Sequence, residues 1–177
     1  MTTDFLLNQQ VERVLGCLMP CNRLVIECII QTGLRVSDVL AFKTADLRKG
    51  LQWWITEGKT GKRRRVNLNR RLWNDLIDQA GEVWVFEHRT DPAKHRSRGT
   101  VWADVKRASK AYRLPQNVGT HSFRKVYAVD LMRKYGDSDR VRRALNHSSM
   151  EVTVIYMAAD VLLQEKLRRR RGRSIPA

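Results

Sequence analysis

The run Leu24-Val25-Ile26-Glu27-Cys28-Ile29-Ile30 constrains this chain more than any other segment. Interrupted only by Glu27, it is apolar on most sides of a helix, so a helix here has to be enclosed by other elements. It is too short to span a bilayer, which takes about 20 apolar residues. Asn22 offers a cap in front, and Gly33 ends the helix because it can adopt positive φ. Ser37 then offers a cap for a short helix through Val39, Leu40 and Phe42, which leaves Arg35 in the tight turn between two buried helices. A side chain in such a turn is held more firmly than one on a free loop.

Strand signals occupy the middle of the chain. Leu51 to Thr56 is aromatic and β-branched, and Arg64 to Leu68 alternates around Val66 and Leu68. Between them Glu57-Gly58-Lys59-Thr60-Gly61-Lys62 has the glycines of a turn, so the segment predicts a hairpin with a basic tip. Glu82 to Phe86 predicts one more short strand, and the polar stretch His88 to Arg98 a loop. A helix follows from about Thr100 to Tyr112, then a break at Leu114-Pro115, then a helix from about His121 to Tyr135 that Gly136 terminates. The expected class is α+β, mainly α, with a small antiparallel sheet near residues 51–86. At 177 residues the chain fits one domain, with 1–21 as a lead-in and 157–177 as a basic tail.

Charge narrows the partner. The formal net charge of +16 is uneven: residues 1–47 sum to −1 and residues 48–177 to +17. Such a field favours a polyanion, and nucleic acid is the one a basic domain most often meets. Membrane-surface binding requires a basic amphipathic helix with an apolar face, which Leu167-Arg168-Arg169-Arg170-Arg171 lacks. No transmembrane span and no secretory leader is recognisable, so a cytoplasmic location is expected. Cys17, Cys21 and Cys28 lack the partner pair of a zinc site and are expected as reduced core cysteines. No metal and no cofactor is expected.

The last third holds His121, Arg124, His147 and Tyr156 in that order. His121 and Arg124 are three apart and share a helix face. Ser148-Ser149-Met150-Glu151 fits a capping box, which starts a helix just after His147 and puts Tyr156 about two turns into it. Taken singly, His121 as a helix cap, Arg124 as a solvated side chain and Tyr156 packed beside Val152 and Ile155 satisfy the same pattern. Together they match what phosphodiester cleavage by a phenol requires. A phenol with a pKa of about 10 needs cations or a base beside it. Guanidiniums can hold the non-bridging oxygens bidentately, and the departing oxygen needs a proton from lysine or histidine.

These motifs resemble the catalytic domain of the tyrosine recombinases, the phage-integrase family. Gln31-Thr32-Gly33-Leu34-Arg35-Val36-Ser37-Asp38 resembles its first arginine motif, and Gly58-Lys59-Thr60-Gly61-Lys62 its hairpin lysine. Gly119-Thr120-His121-Ser122-Phe123-Arg124 resembles the His-x-x-Arg box, and Leu145-Asn146-His147-Ser148-Ser149 through Tyr156 the closing segment. The order and spacings agree from about Leu24 to Tyr156.

The resemblance implies a site-specific recombinase of integrase or invertase type, with Tyr156 attacking the scissile phosphate to leave a 3′-phosphotyrosyl bond. Arg35 and Arg124 would hold the phosphoryl oxygens, and Lys59 would protonate the leaving 5′-oxygen, a role Lys62 is also placed to take. His121 would act as acid/base and His147 would donate to a phosphoryl oxygen; neither ATP nor metal is implied. Double-stranded DNA is the implied substrate, met by a homo-tetramer, with an accessory DNA-bending or core-binding protein as a further partner. Lys62, Arg63, Arg64, Arg65, Lys106, Arg107 and Lys125 are the expected phosphate contacts, which position rather than specify. Asn146 departs from the family's usual glycine, though asparagine tolerates left-handed φ. Only about 22 residues precede the match, so no N-terminal core-binding domain is expected in this chain. The alternative is a DNA-binding regulator or catalytic fragment that keeps the fold but does not recombine alone.

Overall fold

A helix with no face to offer to water has to be surrounded, and the computed structural model, which describes residues 3–145, surrounds it. In chain order the elements are α1 (Asn8–Cys17), α2 (Pro20–Thr32), α3 (Val36–Leu40), α4 (Thr44–Leu47), β1 (Gln52–Thr56), β2 (Arg63–Asn67), α5 (Arg70–Gln79), β3 (Glu87–His88), β4 (Asp91–His95), α6 (Arg98–Ala111), α7 (Thr120–Tyr135) and α8 (Ser138–Ala144). This is an α+β fold, mainly α. Two compact units divide between Tyr127 and Ala128.

In the first unit, α2 starts at Pro20, whose locked φ suits the first helical position. Val25, Ile26, Cys28 and Ile29 are at most 1% exposed. Burial pushes the Cys28 thiol well above its ordinary pKa, with the Glu27 charge adding to the effect, so it behaves as a small apolar side chain. Asn22 is not the expected cap. It lies inside the first turn, where its amide donates to Asp104 Oδ2 of α6 at 2.8 Å. The same oxygen accepts the Met19 N–H at 2.9 Å, so a carboxylate remote in sequence satisfies a donor that local spacing assigns to a cap. Gly33 ends the helix at φ +64, with its N–H on the Ile29 carbonyl at 2.8 Å. A Cβ there would come within 2.2 Å of the Tyr127 ring, so this glycine meets both a backbone and a packing requirement.

Arg35 is itself the residue at the head of α3 (φ −73, ψ 150). Ser37, expected as the cap, sits within the helix, and no side-chain cap bond forms. Strands β1 and β2 pair antiparallel with Gln52 opposite Asn67 and Thr56 opposite Arg63. Trp53 and Val66 face inward, and Trp53 meets Phe42 edge-on at 5.2 Å. The turn closes through Glu57 N–H to the Lys62 carbonyl at 3.0 Å and Gly61 N–H to the Glu57 carbonyl at 2.8 Å.

The strand expected at Glu82 to Phe86 does not form. Val85 and Phe86 are buried, and the segment's ladder is reduced to one bridge, Lys43 to Trp84. The expected loop at 88–98 instead contains a second hairpin, β3 with β4. Pro92 is tolerated because a two-stranded ribbon leaves every other residue without a ladder partner. Trp84 anchors the ribbon by donating Nε1–H to the Ala93 carbonyl at 3.0 Å and meeting His95 edge-on at 5.1 Å. Among the described residues the β structure is therefore two separate two-stranded sheets, the second lying beyond residue 86.

Helix α1 gives Val11, Val14 and Leu15 to the core, and Leu6 ahead of it is fully buried. Asp4 and Asn117 exchange bonds, Asp4 N–H to the Asn117 carbonyl at 3.0 Å and Asn117 N–H to Asp4 Oδ2 at 2.7 Å. Helix α6 begins at Arg98 under Ser97, whose Oγ accepts the Thr100 N–H at 3.0 Å. Helix α7 has the expected extent, and Gly136 ends it at φ +65.

The second unit is described as far as Leu145. Asp137 caps α8 by accepting the N–H groups of Asp139 and Arg140 at 2.9 and 3.1 Å. The Arg140 guanidinium lies 3.5 Å from the Tyr135 ring centroid, a cation–π contact. No helix among the described residues is long and apolar enough to cross a membrane.

Two stability effects follow from α2. Gly33→Ala forces a left-handed backbone on a β-carbon and drives it into Tyr127, and should cost about 2–4 kcal/mol by chemical denaturation; a loss under about 0.5 kcal/mol contradicts this packing. Burial raises the Asp104 pKa, but the Asn22 amide, the Met19 N–H and Arg107 outweigh it and leave it below the ordinary carboxylate value. As pH falls the unfolded chain therefore takes up the proton first. The stabilisation is complete above about pH 4 and fades as pH drops through the lowered native pKa. Asp104→Asn should cost about 1–3 kcal/mol near pH 7, and the gap to wild type should narrow in acid. A gap independent of pH would exclude this role for the carboxylate.

Candidate active site

Four chain segments remote in sequence meet around a cleft of about 570 Å³ in the first unit. The turn after α2 brings Arg35, Val36 and Ser37; the β1–β2 hairpin brings Lys59; α6 brings Arg98, Gly99 and Trp102; and the start of α7 brings Thr120 and His121. Each is positioned by something rigid. Arg35 is fixed between the buried helices α2 and α3, and Lys59 rides on a turn closed by its own backbone bonds. The start of α7 is tied locally, with Gly119 N–H on Ser122 Oγ at 3.2 Å and Ser122 N–H on the Gly119 carbonyl at 2.9 Å.

Behind the cleft lies a cluster of charge. Glu57 is completely buried, and its two oxygens divide between two arginines: Oε2 takes Arg35 Nη1 at 3.0 Å and Oε1 takes Arg64 Nη1 at 3.3 Å. Thr60 Oγ1 donates to the same Oε2 at 2.9 Å. Asp38, also buried, accepts the Gly58 N–H at 3.0 Å, so the first turn of α3 holds the hairpin tip. Arg124 is 6% exposed. Burial first, then the charges of Arg35 and Arg64, push its pKa down to about 10, with Glu57 and Asp38 opposing. It stays charged at neutral pH.

His121 sits at the rim with its ring accessible. Partial desolvation, followed by the charges of Arg124, Arg35, Lys125 and Lys59, holds its pKa below the ordinary 6.5. The imidazole is consequently neutral at pH 7 and able to accept a proton. Two guanidiniums, an ammonium and a neutral imidazole around one cleft suit a phosphodiester, whose transition state gathers charge on its non-bridging oxygens.

Of the six residues expected to carry chemistry, the structure brings Arg35, Lys59 and His121 to the cleft with Arg124 in electrostatic reach of them. His147 and Tyr156 lie outside the described residues. Lys62, Arg63 and Arg65 lie exposed on the hairpin, where Arg63 stands 5.2 Å from the Trp54 ring and Arg65 donates to Gln52 Oε1. Four other expected phosphate contacts are already engaged within the protein. Arg64 turns inward to Glu57 and the Thr32 carbonyl. Lys106 Nζ donates to Asn117 Oδ1 at 2.6 Å, and Arg107 pairs with Asp104 at 2.7 Å and donates to the Cys17 carbonyl. Lys125 donates to the Thr3 carbonyl; burial lowers its pKa, and Asp4 partly restores it.

Arg98, Trp102 and Glu57 escaped the sequence reading. A signal for Glu57 exists: Trp53 and Ile55 alternate along β1, and Glu57, the residue just past it, continues that inward register, so an acid there has to find buried cations. Arg98 and Trp102 are four apart on α6 and so share a face, but nothing local says that this face borders Arg35.

Comparison with known proteins agrees with this geometry. The model of the phage integrase family matches residues 4–162. A probable integrase/recombinase, YoeC of Bacillus subtilis, is 28% identical over 134 residues, covering 74% of each chain. A tyrosine recombinase of Thermosipho africanus is 29% identical over 172 residues, covering 92% of this chain and 59% of its own. The chain spans about half the length of the XerC relatives it matches, 48% for that of Listeria innocua. Among solved structures, the XerH site-specific recombinase in a post-cleavage complex with its palindromic difH substrate superposes with a TM-score of 0.72 at 25% identity, covering 95% of this chain and 53% of that one. The catalytic domain of bacteriophage HP1 integrase shares the fold, with a TM-score of 0.61 at 21% identity over 99% of both chains. With a cleft of this composition and a family match over nearly its whole described length, the chain belongs to the phage integrase family.

Proposed function

We propose that this chain is a site-specific DNA strand transferase, which cleaves and rejoins double-stranded DNA through a 3′-phosphotyrosyl intermediate. The observation that carries the reading is the convergence of Arg35, Lys59 and His121 on one cleft with Arg124 against them. XerH, solved after cleavage of its DNA substrate, is a relative of the same fold and supports it.

In this reading Tyr156 Oη attacks the scissile phosphorus. A Tyr–O–P bond forms, the bond to the 5′-oxygen breaks, and that oxygen leaves with a proton from Lys59. Arg35 and Arg124 hold the charge of the phosphoryl oxygens, His147 adds a hydrogen bond, and neutral His121 takes the phenol's proton. The ester keeps the energy of the broken bond, so attack by the 5′-hydroxyl of a partner strand reverses the step without ATP. Exchange between two duplexes needs four such sites, so in this reading the chain acts as a homo-tetramer on DNA. An accessory DNA-bending or core-binding protein is a further partner in this reading.

A nicked suicide substrate tests the chemistry, because loss of the short strand traps the covalent intermediate. Wild type should form a denaturation-resistant adduct, and Tyr156→Phe should bind the same DNA and form none; an adduct in that variant removes Tyr156 from its role. The pH dependence tests His121. With its native pKa depressed, the unfolded chain and the protonated site both gain as pH falls below about 6.5, so the neutral base is lost only in acid. At subsaturating protein, where the free enzyme's ionisation is read, adduct formation should stay level from about pH 8 down to 6.5 and then fall. His121→Gln should lower the plateau roughly 100-fold and abolish that acid limb. An acid limb that survives the substitution would assign it to another group.

A further inference from the structure

Building on the strand-transferase reading, we propose that Glu57 is a positioning residue for the reaction: its buried carboxylate fixes the Arg35 guanidinium in the cleft and ties it to the hairpin that carries Lys59. The geometry is specific. Oε2 of Glu57 holds Arg35 Nη1 at 3.0 Å and the Thr60 hydroxyl at 2.9 Å, so one oxygen joins the arginine to the residue next to Lys59. Oε1 holds Arg64 at 3.3 Å, and Arg64 donates in turn to the Thr32 carbonyl at the end of α2. Glu57 also closes the hairpin turn by its own backbone, from its N–H to Lys62 and from Gly61 to its carbonyl. One residue therefore links the end of α2, Arg35 and the Lys59 turn.

The chemistry explains why an acid is required. Burial, then the charges of Arg35 and Arg64, disfavour the cation at Arg124, and the buried acids Glu57 and Asp38 oppose them. Asp38 Oδ1 is used by the Gly58 N–H. An Arg35 side chain gripped at Nη1 keeps its other N–H groups for a ligand, and Arg35 lines the cleft while being 16% exposed. A guanidinium preset in this way spends no ordering entropy when the transition state forms, which favours the chemical step over DNA binding. Glu57 itself, completely buried, touches no substrate.

The test uses the full chain and the isosteric substitution Glu57→Gln. Arginine-selective NMR of the DNA-free protein reads the rotation of the Arg35 guanidinium, assigned with Arg35→Lys. Wild type should show it restricted and the variant averaged by rapid rotation; equal restriction in both overturns the proposal. On the suicide substrate, Glu57→Gln should bind DNA within about 3-fold of wild type and form the adduct roughly 10- to 100-fold more slowly. In an Arg35→Ala background the same substitution should cost less than about 3-fold, because its target is gone. Equal slowing in both backgrounds would reduce Glu57 to a structural residue and overturn the proposal. Should Glu57→Gln not fold, Glu57→Asp, which keeps the charge but withdraws it by one methylene, serves the same comparisons. Absence of any adduct from wild type would refute the strand-transferase reading, while the NMR comparison still decides whether Glu57 fixes Arg35.

Discussion

Three guanidiniums held close together in a partly dry site repel one another, and everything around the cleft is arranged against that repulsion. Two unit charges about 4 Å apart at an effective dielectric near 20 differ by about 4 kcal/mol from their separated state, a sizeable share of a domain's stability. The charges of Arg35 and Arg64 both act on Arg124 here. Buried Glu57 and Asp38 offset the repulsion without cancelling it, so the cleft keeps a net positive charge. A fully neutralised cluster would be a more stable core but would have nothing left for a phosphate. Desolvation, followed by this residual charge, depresses His121, so a cation cluster of this kind contributes to the protonation state of a neighbouring base as well as to its own affinity for anions.

Such a cluster works only if its members are held in register, and the fold achieves this at glycines and turns. Gly33 lets the chain reverse after α2 and also leaves room for the Tyr127 ring, which lies two turns along α7 from the His121 end. One position without a β-carbon thus places Arg35 and seats the helix that carries His121 and Arg124. The hairpin is registered to the same point from the other side, through Glu57 to Arg35 and through Gly58 to Asp38. Because both anchors are electrostatic and buried, loosening either one displaces Lys59 and Arg35 together.

The sequence made local features legible and left non-local ones unread, and particular residues show why. The enclosed α2, its end at Gly33, the β1–β2 hairpin and the extent of α7 follow from periodicity and glycine, which act over a few residues. Asn22 read as a cap because its spacing fits one; the group that caps α2 is Asp104, 82 residues away from it. The strand at 82–86 was a false reading because Val85 and Phe86 are apolar for the core rather than for a ladder, while the polar 87–95 segment pairs with itself around Trp84. His121 is legible from its place three residues before Arg124, whereas Lys59 is one cation of a basic hairpin tip until motif resemblance singles it out. Glu57, with inward register in plain view, needed the knowledge that Arg35 lay behind it.

Charge transfers least from sequence to structure, and the reason bears on how the molecule presents itself to a polyanion. Arg64, Lys106, Arg107 and Lys125 were equivalent to the exposed hairpin cations when read as sequence, but each has an intramolecular acceptor. A cation already bound to a carboxylate or carbonyl gives up that bond before it can replace a counterion on a phosphate, so its net contribution to affinity is small. The cations most open to a polyanion are Lys62 and Arg63 on the exposed hairpin face, together with the cleft itself. The basic residues thus divide by partner: those paired with acids and carbonyls build the frame, and those left at the surface and in the cleft face the polyanion. That division is set by packing between distant segments, and no count of lysines and arginines along the chain contains it.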